Sequence, residues 1–364
     1  MVWSKKFQTA LYSIDGVGPA TFHKILKALT KHEVTESEFW VNKAQIWHEI
    51  ALDKRIVESI RKFKKEHNID SYYERLLAKD IRVALKNDSE FPSLLGQLDQ
   101  PPPLLFIRGS IITNQESFIG VVGTRSITEY GRRVITEFIP PLIQFGKTIV
   151  SGFMYGVDAI AQRAALQAKG KTVGVLGFGF DFMYPPEHQA LFEYFLSQGA
   201  TFLSPFAPHV PARPGNFPAR NAVVAGMSEG VLVIEGAADS GSLITAHCAA
   251  EFGREVWAVP GSIFNEFSAG TQILINEGAQ LVRSAADVLG ISPATKDRQN
   301  LRRAWEVFSG LKRAICERLD LEALPVDQLA TKLGCRLSEL AVTLVELELL
   351  GLVEQVGNKW QLAV

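Results

Sequence analysis

Three textures follow one another along the chain. Up to about residue 88, apolar positions recur at helical spacing between Lys- and Glu-rich stretches. In DKRIVESIRKFKKEHN, for example, Ile56, Ile60 and Phe63 share one helix face. The pattern breaks at Asp99-Gln100-Pro101-Pro102-Pro103, because consecutive prolines neither continue a helix nor join an interior strand. Beyond the break, short uninterrupted apolar runs alternate with helical periodicity. FIGVVGTR (118–125), TIVSG (148–152), KTVGVLGFG (171–179), ATFLSPF, GVLVIEG (230–236) and EVWAVPG (255–261) read as strands. The stretches between them read as helices, one of which, RRVITEFIPPLIQFG, has a proline interruption. Strands apolar on both sides, alternating with helices, predict an α/β fold: a Rossmann-like, doubly wound, mostly parallel sheet covered on both faces. The final zone is helical and closes with LGLVEQVGNKWQLAV, two short strands about Gly357-Asn358, which is a winged-helix pattern. The predicted organisation is therefore an N-terminal helical domain (1–88), a Rossmann-like domain (89–290), a polar linker (291–302) and a C-terminal winged-helix-like domain (303–364).

Composition adds limits. Of 364 residues, 47% are hydrophobic and 21% charged, ordinary values for a chain with a sizeable core. No apolar run reaches the ~18 residues of a membrane span, and the first residues lack the apolar core and cleavage site of a signal peptide. A cytoplasmic protein is expected. The three cysteines, Cys248, Cys316 and Cys335, show no C-x-x-C spacing, which argues against a zinc site or a disulfide framework. Cys248 lies among alanines and reads as a buried structural thiol. Net charge is −1, made of +4 over residues 1–88, −5 over 89–290 and 0 over 291–364. A broad duplex-binding surface is not advertised. Nucleic acid at the middle domain would have to be held by a few placed arginines and backbone amides.

Candidate chemistry lies in the loops after the strands, because ligands of open parallel sheets bind beyond the carboxyl ends. Those loops are Gly123-Thr124-Arg125-Ser126, Ser151-Gly152-Phe153-Met154-Tyr155-Gly156-Val157-Asp158, Gly177-Phe178-Gly179-Phe180-Asp181, Glu235 through Ser240-Gly241-Ser242, and Pro260-Gly261-Ser262. Glycine at five strand ends predicts a ledge on which bare amides and helix N-termini approach a phosphate. Strand-to-helix turns also use glycine for packing alone. A dinucleotide fingerprint is missing, so no nicotinamide or flavin cofactor is expected. Arg125 in the first loop suits a phosphodiester. Asn216-Phe217-Pro218-Ala219-Arg220-Asn221 forms a second constellation: Phe217 either stacks on a base while Arg220 and Asn221 hold phosphate and base edge, or packs into the core with Arg220 paired to an acid. Asp158, Asp181 and Glu235 are read as helix caps or partners of arginines and amides in preference to Mg²⁺ ligands. No catalytic or metal constellation stands out. Near the N-terminus, Ile14-Asp15-Gly16-Val17-Gly18-Pro19 is either a phosphate-holding helix-hairpin-helix turn or a tight interhelix turn.

Seven ordered motifs carry a resemblance. They are G-T-R-S (123–126), S-G-F-M-Y-G-V-D-A-I-A (151–161), V-L-G-F-G-F-D-F-M-Y-P (175–185), F-P-A-R-N (217–221), S-G-S-L-I-T-A (240–246), G-R-E-V-W-A-V-P-G (253–261) and S-A-G-T-Q-I-L-I-N-E-G-A (268–279). Together they resemble the DNA-processing protein A family (DprA, also called Smf), densely over about 90–285 and more weakly at the SAM- or helix-hairpin-helix-like N-terminus and the winged-helix-like C-terminus. The resemblance implies a non-enzymatic protein that binds single-stranded DNA entering the cell in natural transformation. It further implies protection of that DNA, loading of the RecA recombinase and homodimerisation through the Rossmann-like domain. The DNA groove would be lined by Gly123, Thr124, Arg125, Ser151, Gly152, Phe217, Arg220, Asn221, Ser240, Gly241 and Ser242. Two departures are visible: Ala222 stands where the family usually has a second basic residue, with Arg213 as the compensating candidate, and Gln162 stands where it often has His. The competing readings are a nucleotide-cleaving enzyme of the lysine-decarboxylase-like (LOG) type, whose P-G-G-x-G-T-x-x-E motif Pro260-Gly261-Ser262 only begins, and a pure interaction scaffold.

Overall fold

The structure is a computed structural model that describes residues 3–41, 52–291 and 305–363. It divides into two compact units, 1–285 and 286–364. The expected linker lies outside the described residues apart from Ile291.

The first unit opens with helices α1 (Lys5–Tyr12), α2 (Pro19–Lys31), α3 (Glu36–Val41), α4 (Lys54–Glu66) and α5 (Ile69–Ala78). Side chains cap them where the sequence offers an oxygen: Ser4 accepts from Phe7 N, Asp53 from Arg55 N and Asn68 from Asp70 N. Their apolar stripes, including Phe7, Leu11, Phe22, Ile25, Ile60 and Phe63, form one cluster. That cluster continues onto two strands, β1 (Arg82–Leu85) and β2 (Leu104–Gly109), through Val83, Leu104 and Phe106. A short helix, α6 (Ser93–Gly96), lies between the two strands. Residues 82–85, placed by the sequence pattern in the helical zone, thus belong to the large sheet.

The remaining elements of this unit are β3 (Ser117–Val122), α7 (Glu129–Gln144), β4 (Lys147–Ser151), α8 (Val157–Gln167), β5 (Thr172–Val175), α9 (Gln189–Ser197), β6 (Thr201–Ser204), α10 (Asn216–Met227), β7 (Gly230–Val233), α11 (Gly241–Glu251), β8 (Glu255–Ala258), α12 (Ala269–Asn276) and β9 (Gln280–Leu281), and the division between the units falls within the short helix α13 (Ala285–Val288). The nine-stranded sheet runs β1-β2-β6-β5-β4-β3-β7-β8-β9. Pairing is parallel from β6 to β9, and β1 and β2 add an antiparallel edge. This is the expected mostly parallel α/β sheet. The expected proline interruption is not a break: α7 runs through Pro140 and Pro141 to Gln144. The two missing N–H groups leave the carbonyls of Thr136 and Glu137 without their i+4 donors, and the turn resumes with Phe145 N donating to Pro141 O at 3.1 Å. Cys248 is half-buried against the sheet core rather than fully buried.

The second unit contains α14 (Gly310–Leu319), β10 (Leu324–Pro325), α15 (Val326–Leu333), α16 (Leu337–Leu349), β11 (Val353–Val356) and β12 (Lys359–Leu362). Gly357, at φ +63°, makes the predicted turn between the last two strands. Leu340, Leu344, Leu347 and Trp360 centre its core, which gives a winged helix. Among the described residues, no helix is long and apolar enough to cross a membrane.

Candidate nucleic-acid interface

The chain leaves β3, winds outward through β4, β5 and β6, then returns to β3's other side as β7. The connections therefore diverge at the carboxyl ends of β3 and β7, which leaves a crevice there. An open cavity of about 470 Å³ occupies it. Three strand-end loops and the N-terminal half of α10 wall this cavity, and they bring together Gly123, Thr124, Arg125, Gly152, Phe217, Arg220, Asn221, Ser240, Gly241 and Ser242.

Main-chain bonds lock the loops to one another. Thr124 N donates to Glu235 O at 2.7 Å, and Val157 N donates to Thr124 O at 3.1 Å. Glu235, only 1% exposed, accepts from Thr128 N at 3.0 Å and from Thr128 Oγ1 at 2.5 Å. This carboxylate is structural, and it clamps the β3 and β7 loops. Arg125 is exposed on the rim and is steadied by Met154, whose sulfur lies 3.7 Å from Nη2.

Helical spacing puts Phe217, Arg220 and Asn221 on one face of α10. The guanidinium of Arg220 lies 5.9 Å from the Phe217 ring centroid and donates to Val175 O at 3.3 Å. Arg220 is 5% exposed and stands 4.0 Å from Asp158 Oδ2; its Nε has no partner. Burial pushes the Asp158 carboxyl upward, against the pull of Arg220 and the bond from Met154 N. Burial likewise lowers Arg220, whose ion is held by Asp158 and opposed by Arg125. Of the two alternatives posed for this segment, the pairing of Arg220 with a buried acid is seen, and Arg220 also lines the cavity. The half-buried Phe217 rests on Gly177 and Tyr184, with its ring 5.6 Å from that of Tyr184. Asn221 Nδ2 donates to Gly241 O at 3.3 Å, and Ser240 caps α11 through a bond from Ser242 N.

The expected glycine ledge takes a different form. A Cβ on Gly123 would meet Val157 and Glu235 O within 2.7 Å, and one on Gly152 would stand 1.4 Å from Arg220 Nη1. These glycines admit neighbouring groups of the protein. Gly241 alone among the lining glycines is open, with nothing within 4 Å of a built Cβ. The loops of Gly177–Gly179 and Pro260–Ser262 do not line the cavity. Of the predicted residues, Ser151 lies beneath it, fully buried, with Oγ donating to Val121 O at 2.6 Å. Arg213 lies outside it, on a second cavity of about 480 Å³ lined by the Asp15–Pro19 turn. Asp158 and Asp239 also line the first cavity, so its formal charges balance. With Asp158 matched to Arg220, attraction for an anion rests on Arg125 and on the N-termini of α10 and α11. Met154 and Asp239 are lining residues that the sequence reading did not single out; Met154 lies in the S-G-x-x-x-G-V-D motif, which could have signalled it.

The family model described as DNA recombination-mediator protein A matches residues 82–292, and the DprA winged helix domain matches 294–359. Protein Smf from Escherichia coli is 38% identical over 279 residues, which is 74% of each chain. DNA processing protein DprA from Bacillus subtilis is 36% identical over 239 residues, covering 64% of this chain and 80% of its own. Among solved structures, DNA processing protein A from Streptococcus pneumoniae superposes with a TM-score of 0.65 at 31% identity, covering 80% of this chain and 98% of that one. The Helicobacter pylori protein, solved to describe its single-stranded DNA binding mode, has a TM-score of 0.50 at 25% identity over 58% of this chain and 94% of that one. With family models spanning the sheet and the winged helix, the chain belongs to the DNA-processing protein A (DprA/Smf) family.

Proposed function

We propose that the chain binds single-stranded DNA across the crevice at the ends of β3, β4 and β7, and that it acts on that strand as a non-enzymatic carrier. It protects incoming DNA and delivers it to the RecA recombinase during natural transformation. The observation that carries this reading is the convergence on one crevice of Arg125, Arg220, Asn221, the Phe217 ring and the N-terminus of α11 at the uncovered Gly241. That set offers a phosphate contact, a base-edge contact and a stacking face. The binding mode described for the Helicobacter pylori relative supports the same polymer. Association as a homodimer through the sheet domain belongs to the same proposal, and concentration-dependent sedimentation tests it.

The direct test is anisotropy of labelled oligothymidylate at several salt concentrations, with duplex of equal length for comparison. Arg125→Ala is expected to weaken binding to any single strand and to reduce the salt slope by about one. Unchanged affinity and slope would remove Arg125 from the interface. Delivery is tested by RecA filament assembly on strands precoated with single-strand-binding protein, where the chain should shorten the lag.

A further inference from the structure

The carboxyl edge of the sheet carries an apolar protrusion outside the crevice. After β8 the chain turns through Pro260–Asn265, leaving Ile263 77% and Phe264 93% exposed. The turn is held firmly. Phe264 N donates to Ser262 Oγ at 3.2 Å, Asn265 N to Ser262 O at 3.1 Å, and Phe267 N to Asn265 Oδ1 at 3.0 Å. It also adjoins the crevice walls. Gly236 N donates to Phe267 O at 2.6 Å, and the Tyr130 hydroxyl donates to Pro260 O at 2.6 Å.

An aromatic ring held by a rigid turn and left in water contributes almost no burial to folding. Ile263, Phe264 and the neighbouring Tyr130, 44% exposed, are together far smaller than the ~1,200 Å² that a stable protein interface buries. They match the face of one or two bases. We infer that Phe264 is a second base-stacking post. A single strand leaving the crevice past Ser240–Ser242 crosses the ends of β7 and β8 and lays a base on this ring. The inference rests on the single-strand reading of the crevice. From β3 to β8 is two strand spacings, ~10 Å, or about three nucleotides at the ~3.4 Å of a stacked strand. The track would then have the Tyr184–Phe217 pair at one end, the arginines in its middle and Phe264 at the other. From Glu255 to Asn276 the sequence has no Lys or Arg, so this end contacts bases and not phosphates.

The test compares the parent with Phe264→Ala and Phe264→Tyr on oligothymidylate and on an all-abasic strand of equal length. Stacking worth ~1–3 kcal/mol corresponds to a loss of about 5- to 150-fold for Phe264→Ala. The salt slope should stay unchanged, Phe264→Tyr should bind as the parent does, and all three should bind the abasic strand alike. Melting temperature checks that folding is intact. Binding weakened by Arg125→Ala but not by Phe264→Ala overturns this inference alone. A parent that binds no oligonucleotide overturns the crevice reading as well. Loss of self-association in Phe264→Ala, in step with its loss of affinity, would assign the ring to a protein contact and overturn the inference.

Discussion

Gly152→Ala tests whether the crevice glycines serve packing or exposure. The added Cβ would stand 1.4 Å from Arg220 Nη1, 2.3 Å from its Cζ and 2.7 Å from Asp158 Oδ2. Ordinary contact lies near ~3.5 Å, so the guanidinium must retreat by about 2 Å. It has little room: Arg220 is 5% exposed, with Val175 O at 3.3 Å and the Phe217 ring centroid at 5.9 Å. Retreat also takes it from Asp158, which is 7% exposed. Overpacking costs ~1–3 kcal/mol, and orphaning a buried carboxylate up to ~3–5 kcal/mol. Burial already pushes the Asp158 carboxyl upward, so protonation relieves part of the second cost. The expected loss is about 2–4 kcal/mol, a fall in melting temperature of roughly 3–7 °C for a unit of this size. Gly241→Ala is the control. Its Cβ meets nothing, so stability should stay within about 0.5 kcal/mol, while oligonucleotide affinity falls because a methyl now fills the uncovered space at the N-terminus of α11. Thermal unfolding by near-ultraviolet circular dichroism, paired with anisotropy, reads both. A Gly152→Ala protein that melts and binds like the parent would refute the packing argument.

Other outcomes follow from single contacts. Phe217→Ala should weaken oligonucleotide binding by ~1–3 kcal/mol if the ring stacks on a base, read by anisotropy. Burial lowers Lys64 from its ordinary 10.5 to about 8. The unfolded chain therefore binds more protons than the folded one between about pH 8 and 10.5. Stability should rise with pH across the lower part of that window, up to the pH near 10 where tyrosines such as Tyr72, pushed up to about 12, begin to act in the opposite sense. Denaturation curves of Lys64→Met should show a flatter rise. In the winged helix, Leu340 is fully buried, so Leu340→Ala should cost ~2–5 kcal/mol, seen as faster amide exchange in α14–α16.

The strands that the sequence made legible are those with apolar residues on both faces. β3, β4, β5, β7 and β8 are such runs, and all but β3 sit between helical patterns. β1 and β9 were illegible for different reasons. Arg82–Leu85 is as long as β5 but opens on a charge, runs straight into Lys86 and follows a helical stretch, whereas Gln280–Leu281 is a two-residue strand made by its pairing with β8. β2 follows directly on three prolines, which signalled a boundary and hid the apolar LLFIRG run behind it. The proline pair in α7 misled in the opposite direction, because packing of Ile135, Phe138, Ile139 and Leu142 outweighs two lost backbone bonds.

For the site, spacing within one helix was informative and glycine by itself was not. Phe217, Arg220 and Asn221 share a face of α10 because they lie three and four residues apart, a local relation that a sequence displays. What fills the space beside a glycine is a long-range relation. Gly152 is glycine because Arg220, 68 positions later, lies against it, and Gly123 is glycine because the β7 loop crosses it. Arg213 shows the same limit. It is close to Phe217 in sequence, yet it precedes the start of α10 and lines the cavity of the Asp15–Pro19 turn instead. The order β4-β3-β7 decides which loops meet, and it places the β3 arginine opposite the α11 terminus across one strand spacing. That juxtaposition, more than any glycine count, is what the proposed strand-binding reading rests on in a lining whose formal charges cancel.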